Sequence, residues 1–210
     1  MDGGDVIETL RAMSRRMEAE KDFLTQLDND IADGDHGINM ARGFAAVERK
    51  LPELAAKDIG TILKTVGLTL VSVIGGSAGP LYGTMFLRSG LAMAGRTELS
   101  LDDFLVCLKE SVEGVHQRGG AVRGEKTMLD AMIPALEAMT AARAAGKDAK
   151  AVFEDGIGAA REGVEYTKTI VATKGRACYI GERSLGHQDP GATSFAFLLE
   201  CVAANSLTPT

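Results

Sequence analysis

Asp28, Asp30, Asp33 and Asp35 crowd into eight residues of this chain, inside the stretch LDNDIADGDHGIN at 27–39. Carboxylates that converge repel one another unless a cation lies between them, and a hard, oxygen-seeking ion such as Mg²⁺ suits them best. On one continuous helix Asp33 would point about 140° away from Asp28. Gly34, between two acids, favours a turn over a continuing helix. Asp28, Asp33 and Asp35 therefore converge if a helix ends near Asp28 and the loop folds back. An EF-hand fails on register: counted from Asp28, the fifth position is Ala32 and the required glycine position holds Asp33. The plain alternative is a solvated acidic turn.

Three further loops could serve the same chemistry. GGSAGP at 75–80 lies between two helical patterns, with Pro80 placed to open the second. Its glycines let backbone approach a ligand, and the free N–H groups of a helix start attract anions. RGGAVRGEKTMLD at 118–130 nearly spells a P-loop. Glu125 breaks the spacing before Lys126 and Thr127, and the segment before it reads as helix where a P-loop needs a strand. What remains is a glycine-rich, basic loop suited to phosphate or an adenine edge, or an ordinary helix connection. KGRACYIGERSLGHQDPGATS at 174–194 is long for an inter-helix connection and carries Arg176, Arg183, His187 and Asp189. Arginine suits phosphate or ring stacking and aspartate suits ribose hydroxyls; internal ion pairing is the alternative. Together the four loops supply what a Mg-nucleotide needs: a cation cradle, backbone donors and nucleoside contacts.

The elements that must position these loops read as helices. Val6, Leu10, Met13, Met17, Leu24 and Leu27 keep a three-four spacing broken once at Glu20. Similar stripes run from Ile59 to Ile74, from Leu101 to Val115 behind a Ser100–Asp103 capping pair, from Met128 to Met139 and from Phe195 to Val202. Shorter helical patterns fit 37–51, 80–95 and 148–171. The count is about eight helices, and the one strand candidate, 70–74, continues a helical pattern. With 210 residues, 45% hydrophobic and 25% charged, the composition predicts a single all-α domain spanning 1–210. A net charge of −6 argues against nucleic acid or an anionic membrane surface. No apolar run approaches the ~20 residues that span a bilayer, and the acidic amino terminus predicts no signal peptide. Cys107, Cys178 and Cys201, odd in number and widely spaced, read as small buried hydrophobes or free thiols in a reducing cytoplasm.

Read in order, DNDIADGDHGIN (28–39), GGSAGPLYG (75–83), RGGAVRGEKTMLD (118–130) and KGRACYIGERSLGHQDPGA (174–192) resemble the motifs of the nucleotide-binding (DhaL) subunits of dihydroxyacetone kinases. The resemblance covers almost the whole chain, and the last motif is the most specific. It implies an antiparallel barrel of eight helices with ADP or ATP capping one end. It also implies that Asp28, Asp33 and Asp35 hold two Mg²⁺ ions bridging the phosphates. His36, Gly37, Ile38, Asn39, Ser77, Ala78, Gly119, Met128, Arg176, Asp189, Pro190 and Gly191 would complete the nucleotide site. Ser77-Ala78 stands where the family varies between Ser-Ala and Ala-Ser, so backbone contacts are expected there before side-chain ones. Asp30 falls outside the triad and reads as solvated.

The resemblance further implies that the ketose is held covalently by a histidine of a DhaK-type partner, and that a DhaM-type protein of a phosphoenolpyruvate-dependent system rephosphorylates bound ADP. Exchange of free ATP is the other version, and a homodimer is one arrangement open to the chain. Of its own histidines, His36 adjoins the acids and reads as a supporting group more readily than as a phosphohistidine. His187 is ambiguous, and His116, at a helix end, reads as structural. Rival readings are a kinase for a related ketose such as erythrulose, the nucleotide domain of a fatty-acid kinase, or a non-catalytic nucleotide sensor.

Overall fold

Glu20, where the first apolar stripe breaks, is also where the first helix ends. In the computed structural model, which describes residues 1–206, α1 (Gly3–Ala19) stops there and α2 (Lys21–Ile31) starts in a new direction. Both bury the apolar side that the spacing marks: Val6, Leu10, Met13 and Met17 on α1, Leu24 and Ile31 on α2. The chain continues through α3 (His36–Leu54), α4 (Ile59–Val73), α5 (Ala78–Ala92), α6 (Leu101–Gly119), α7 (Leu129–Ala144), α8 (Ala149–Thr167) and α9 (Pro190–Ser206). A 3-10 segment at Arg176–Ser184 sits in the long loop before α9. The described residues thus hold nine α-helices, one more than the stripes predict, because one interrupted stripe is two helices. The 70–74 strand candidate is resolved as helix, with α4 running to Val73 and Ile74 capping it.

Polar caps set where the helices start. The Asp2 and Ser100 side chains each accept from the backbone three residues on, and Asp5 and Asp103 return the bond, closing two capping boxes. Asp58 and Asp148 cap α4 and α8 in the same sense. Each such cap contributes about 1 kcal/mol.

Connections that are short except between α8 and α9 turn the chain back on itself, and each helix from α3 to α9 packs on the next. α1 closes the ring by packing on both α3 and α9. Eight helices therefore form the barrel, while α2 lies against α3 and α9 as an extra layer. The inward faces merge into one apolar core, with Phe44, Tyr82, Leu70 and Met132 wholly enclosed. An apolar cavity of about 120 Å³ remains among α1, α5, α6 and α9. No helix among the described residues is long and apolar enough to cross a membrane.

Glycines set how closely neighbouring helices approach. A Cβ on Gly67 of α4 would lie 2.7 Å from the Gly83 carbonyl oxygen of α5. One on Gly163 of α8 would lie 2.0 Å from the Asp130 oxygen at the start of α7, and backbone cannot yield as a flexible side chain can. Gly163→Ala is therefore expected to destabilise the fold by roughly 1–3 kcal/mol despite alanine's better helix propensity. Urea unfolding checks this, with exposed Gly158→Ala, where a Cβ meets open space, as a control that should hold or gain stability.

Candidate functional site

The acidic turn is built by its own first aspartate. Asp28 lies buried in the last turn of α2. Ala32 leaves helical geometry, and Gly34 takes φ +70°, a region that favours glycine. The reversed chain then presents the Asp35 and His36 N–H groups to one oxygen of Asp28, at 2.8 and 3.1 Å. In this arrangement Asp28, Asp33 and Asp35 each offer an oxygen within 4.8 Å of the others. Ligands about 2.1 Å from an octahedral Mg²⁺ stand about 3 Å apart when adjacent and about 4.2 Å when opposite, so small adjustments seat one ion. Burial pushes the Asp28 carboxyl above its ordinary range, the two N–H donors oppose that, and the charges of Asp33 and Asp35 add to it. The cation paired with the triad is Arg176, whose Nη1 lies 2.5 Å from Asp33 Oδ2 in a half-exposed pair, while Lys126 and Lys174 line the same cavity. One guanidinium against three carboxylates leaves excess negative charge, and the donor set fits a hard divalent cation.

The triad forms one wall of a cavity of about 130 Å³. Its other walls are Gly75–Ala78 at the start of α5, Lys126–Met128 before α7, Lys174–Ala177 of the long loop, and Asp189–Gly191 at the start of α9. Of the residues that the sequence proposes, Asp28, Asp33, Asp35, His36, Ser77, Ala78, Met128, Arg176, Asp189, Pro190 and Gly191 share this cavity. Gly37, Ile38, Asn39 and Gly119 stand outside its lining. Gly37 is a packing position: a Cβ there would meet the Lys21 carbonyl at 2.0 Å and Thr25 at 2.5 Å. Ile38 is half exposed on α3, and buried Asn39 accepts from Arg42 at 2.6 Å. Gly119 ends α6 beside Leu81.

Beneath the cavity, His36 Nε2 lies 2.9 Å from Ser194 Oγ, which is 2.6 Å from the Tyr82 hydroxyl. Tyr82 also donates to the Gly191 carbonyl at 3.1 Å. This chain ties α3, α5 and α9 together, and burial lowers the His36 pKa to about 4, so its ring is neutral near pH 7. Its burial and the Ser194 contact at Nε2 favour the supporting-group reading over a phosphohistidine. In sequence Tyr82 is only one letter of the GGSAGPLYG motif; its role depends on Ser194, 112 residues away.

Asp30 is exposed on the surface, where it accepts from Gln26 at 2.9 Å and lies 3.6 Å from His187 Nδ1. One expectation needs correction. The basic loop at 118–130 does not present Lys126 to an anion, because its buried ammonium donates to the carbonyls of Thr167, Ile170 and His187. Arg123 in the same loop pairs with Glu137 at 3.0 Å. His116 is structural, its Nδ1 lying 2.7 Å from the Ala121 carbonyl oxygen.

Asp189, buried at the start of α9, is pushed up to about 7, chiefly by burial; the Ala192 N–H opposes this and the Asp130 charge adds to it. Asp189 and His36 act oppositely on stability. The raised Asp189 contributes stability that is full below its unfolded value near 3.9 and is lost as pH rises through about 7. The lowered His36 contributes stability that is present above about 6.5 and is lost as pH falls through about 4. Between about pH 6.5 and 4 the two nearly cancel. In metal-free buffer, His36→Gln should therefore gain more stability than the parent from pH 7 to 5, the difference in limiting slope being roughly 1 kcal/mol per unit. Urea titrations at both pH values check this; parallel slopes would refute it.

Residues 30–204 match the family described as the DAK2 domain. The chain is 44% identical over 184 residues to an Escherichia coli (strain K12) protein named PEP-dependent dihydroxyacetone kinase, ADP-binding subunit DhaL, with 88% of each chain covered. It is 39% identical over 207 residues to a Listeria innocua protein named PEP-dependent dihydroxyacetone kinase 2, ADP-binding subunit DhaL, covering 98% of this chain and 95% of that one. A crystal structure of the dihydroxyacetone kinase from C. freundii in complex with AMP-PNP and Mg²⁺ matches with TM-score 0.69 and 25% identity. That match covers 95% of this chain but 33% of the larger kinase. With its helical ring, its four motifs and these similarities extending over most of its length, the chain belongs to the DAK2 domain family, in the DhaL branch of dihydroxyacetone kinase subunits.

Proposed function

We propose that this chain, as a single domain over 1–210, is the Mg-nucleotide subunit of a dihydroxyacetone kinase and passes phosphate to a ketose held on a DhaK-type partner. The observation that carries the reading is the convergence of Asp28, Asp33 and Asp35 on a cavity shared with two helix starts and Arg176. The three carboxylates would hold Mg²⁺, two ions in our reading, and the metal when bound supplies neutralisation of phosphate charge. N–H groups at the starts of α5 and α9 favour anions there. Arg176, beside Asp33, is placed to meet a phosphate oxygen, and Met128 with Asp189–Gly191 forms the wall we assign to the nucleoside. Transfer on such a surface rests on positioning and electrostatics.

The chain's histidines leave the acceptor to another protein, since His36 and His116 are engaged internally and His187 faces Asp30. Relatives named as PEP-dependent support resident ADP recharged by a DhaM-type phosphoryl donor, hence work in the cytoplasm where phosphoenolpyruvate is found. The second reading is an ATP-exchanging ketose kinase. A Mycolicibacterium smegmatis L-erythrulose 1-kinase is 30% identical, but this chain spans only 34% of its length. Denaturing the purified protein and identifying any released nucleotide separates the two. Sedimentation of the isolated chain decides whether it also forms a homodimer.

Removing the cation site should abolish nucleotide retention rather than slow chemistry alone, because phosphates and carboxylates repel without metal. Calorimetry should show Asp33→Ala and Asp35→Ala losing MgADP affinity at least tenfold, with Asp30→Ala much milder; tight binding by the triad variants in EDTA would contradict the metal bridge. A ligand at 1,000 times its dissociation constant stabilises by about 4 kcal/mol. Stripping Mg²⁺ and nucleotide should therefore lower the melting temperature by roughly 10 °C for a chain of this size. An unchanged melting curve after verified removal would exclude a bound cofactor. Single-turnover assays should show no phosphorylation of dihydroxyacetone by this chain alone and one phosphate per loaded site once a DhaK-type partner is added. Multiple turnover without a partner would overturn the division of labour.

A further inference from the structure

Lys126 carries a charge into the interior, its side chain only 1% exposed. Its Nζ meets three backbone carbonyls: Thr167 at 2.5 Å, Ile170 at 3.2 Å and His187 at 2.5 Å. An ammonium has three N–H donors and a neutral amine two, so this cradle calls for the charged form. The acceptors are not neighbours in sequence. Thr167 ends α8, Ile170 follows it, and His187 lies at the far end of the long loop, three residues before α9. A single side chain therefore clasps both ends of the 168–187 loop. Two other bonds close the same neck: Gly186 N–H donates to Lys168 O at 2.8 Å, and Asp189 N–H to Thr167 Oγ1 at 2.9 Å.

The clasp reaches across from a different wall. Lys126 sits in the turn before α7 with φ +62°, an uncommon conformation for a residue with a side chain. The Asp130 carboxylate holds the turn by accepting from Gly124 N–H at 2.5 Å and Thr127 N–H at 2.8 Å. Lys126 and the two residues after it, Thr127 and Met128, line the cavity, and the loop it clasps supplies Arg176 and Ala177 to the opposite side. We infer that Lys126 is a positioning residue for the nucleotide: it fixes the distance between the α6–α7 wall and the α8–α9 loop, so that Arg176 and Asp189 are held facing the acidic triad. The inference rests on the nucleotide-subunit reading for its ligand, though not for its mechanics. It also gives a use to the lysine that makes the loop look like a P-loop without being one.

Lys126→Gly is the informative variant, since glycine suits the positive φ, although it leaves three carbonyls without their donor. Its ligand-free melting temperature should fall, so binding is measured well below the variant's own transition. Its MgADP affinity, by calorimetry, should fall at least tenfold, and n-butylammonium, the fragment removed, should restore part of that loss. MgADP held within twofold of the parent would overturn the inference, as would a loss that n-butylammonium leaves untouched. A second measurement needs neither variant nor nucleotide. In the parent chain, the amide hydrogens of Gly124, Thr127, Gly186 and Asp189 should exchange through one shared opening. Exchange at Gly186 and Asp189 a hundredfold faster than at Gly124 and Thr127 would show that the walls open separately and would overturn the clasp even if Lys126→Gly failed to fold. Failure of the parent to bind MgADP would count against the functional reading, and the exchange result would still judge the clasp.

Discussion

Three carboxylates held within 4.8 Å of one another must be kept together against their own repulsion. At an effective dielectric of about 20, each pair of full charges at that distance repels by about 3.5 kcal/mol. The turn answers with backbone donors. Asp28 is buried, and two N–H groups converge on one of its oxygens, which holds the loop in its reversed path and leaves other oxygens facing the cavity. Arg176 offsets part of the charge at Asp33. The rest is the electrostatic demand that a divalent cation and its phosphates would meet.

Much of the architecture serves that turn. Splitting the first helix at Glu20 takes α2 out of the ring and lays it against α3 and α9, so its last turn delivers Asp28 to the end of the barrel. Gly37 lets α3 begin in contact with α2, a closeness that any Cβ would prevent. Below, the His36–Ser194–Tyr82 chain joins three helices with polar groups satisfied inside the core. A buried histidine kept neutral and hydrogen-bonded is a rigid support. The walls of the cavity are thus tied together at the turn, at its floor and across the long loop.

The spacing of apolar residues determines the helices, the Ser100–Asp103 cap and the all-α class, because each depends on neighbours three or four residues apart. The acidic triad was legible for a related reason: like charges so dense in sequence have few stable arrangements, and the intervening glycine favours a turn. The family motifs likewise lie in the sequence itself. Ring closure by α1 on α3 and α9, the burial of Tyr82 against Ser194, and the pairing of Asp30 with His187 were decided by the tertiary structure, since each joins residues far apart in the chain. Lys126 shows the physical reason most directly. In sequence it is a cation in a glycine-rich loop, and phosphate is the natural guess. Only the fold brings three carbonyls from the α8–α9 connection around it, and a buried ammonium takes the partners that burial provides.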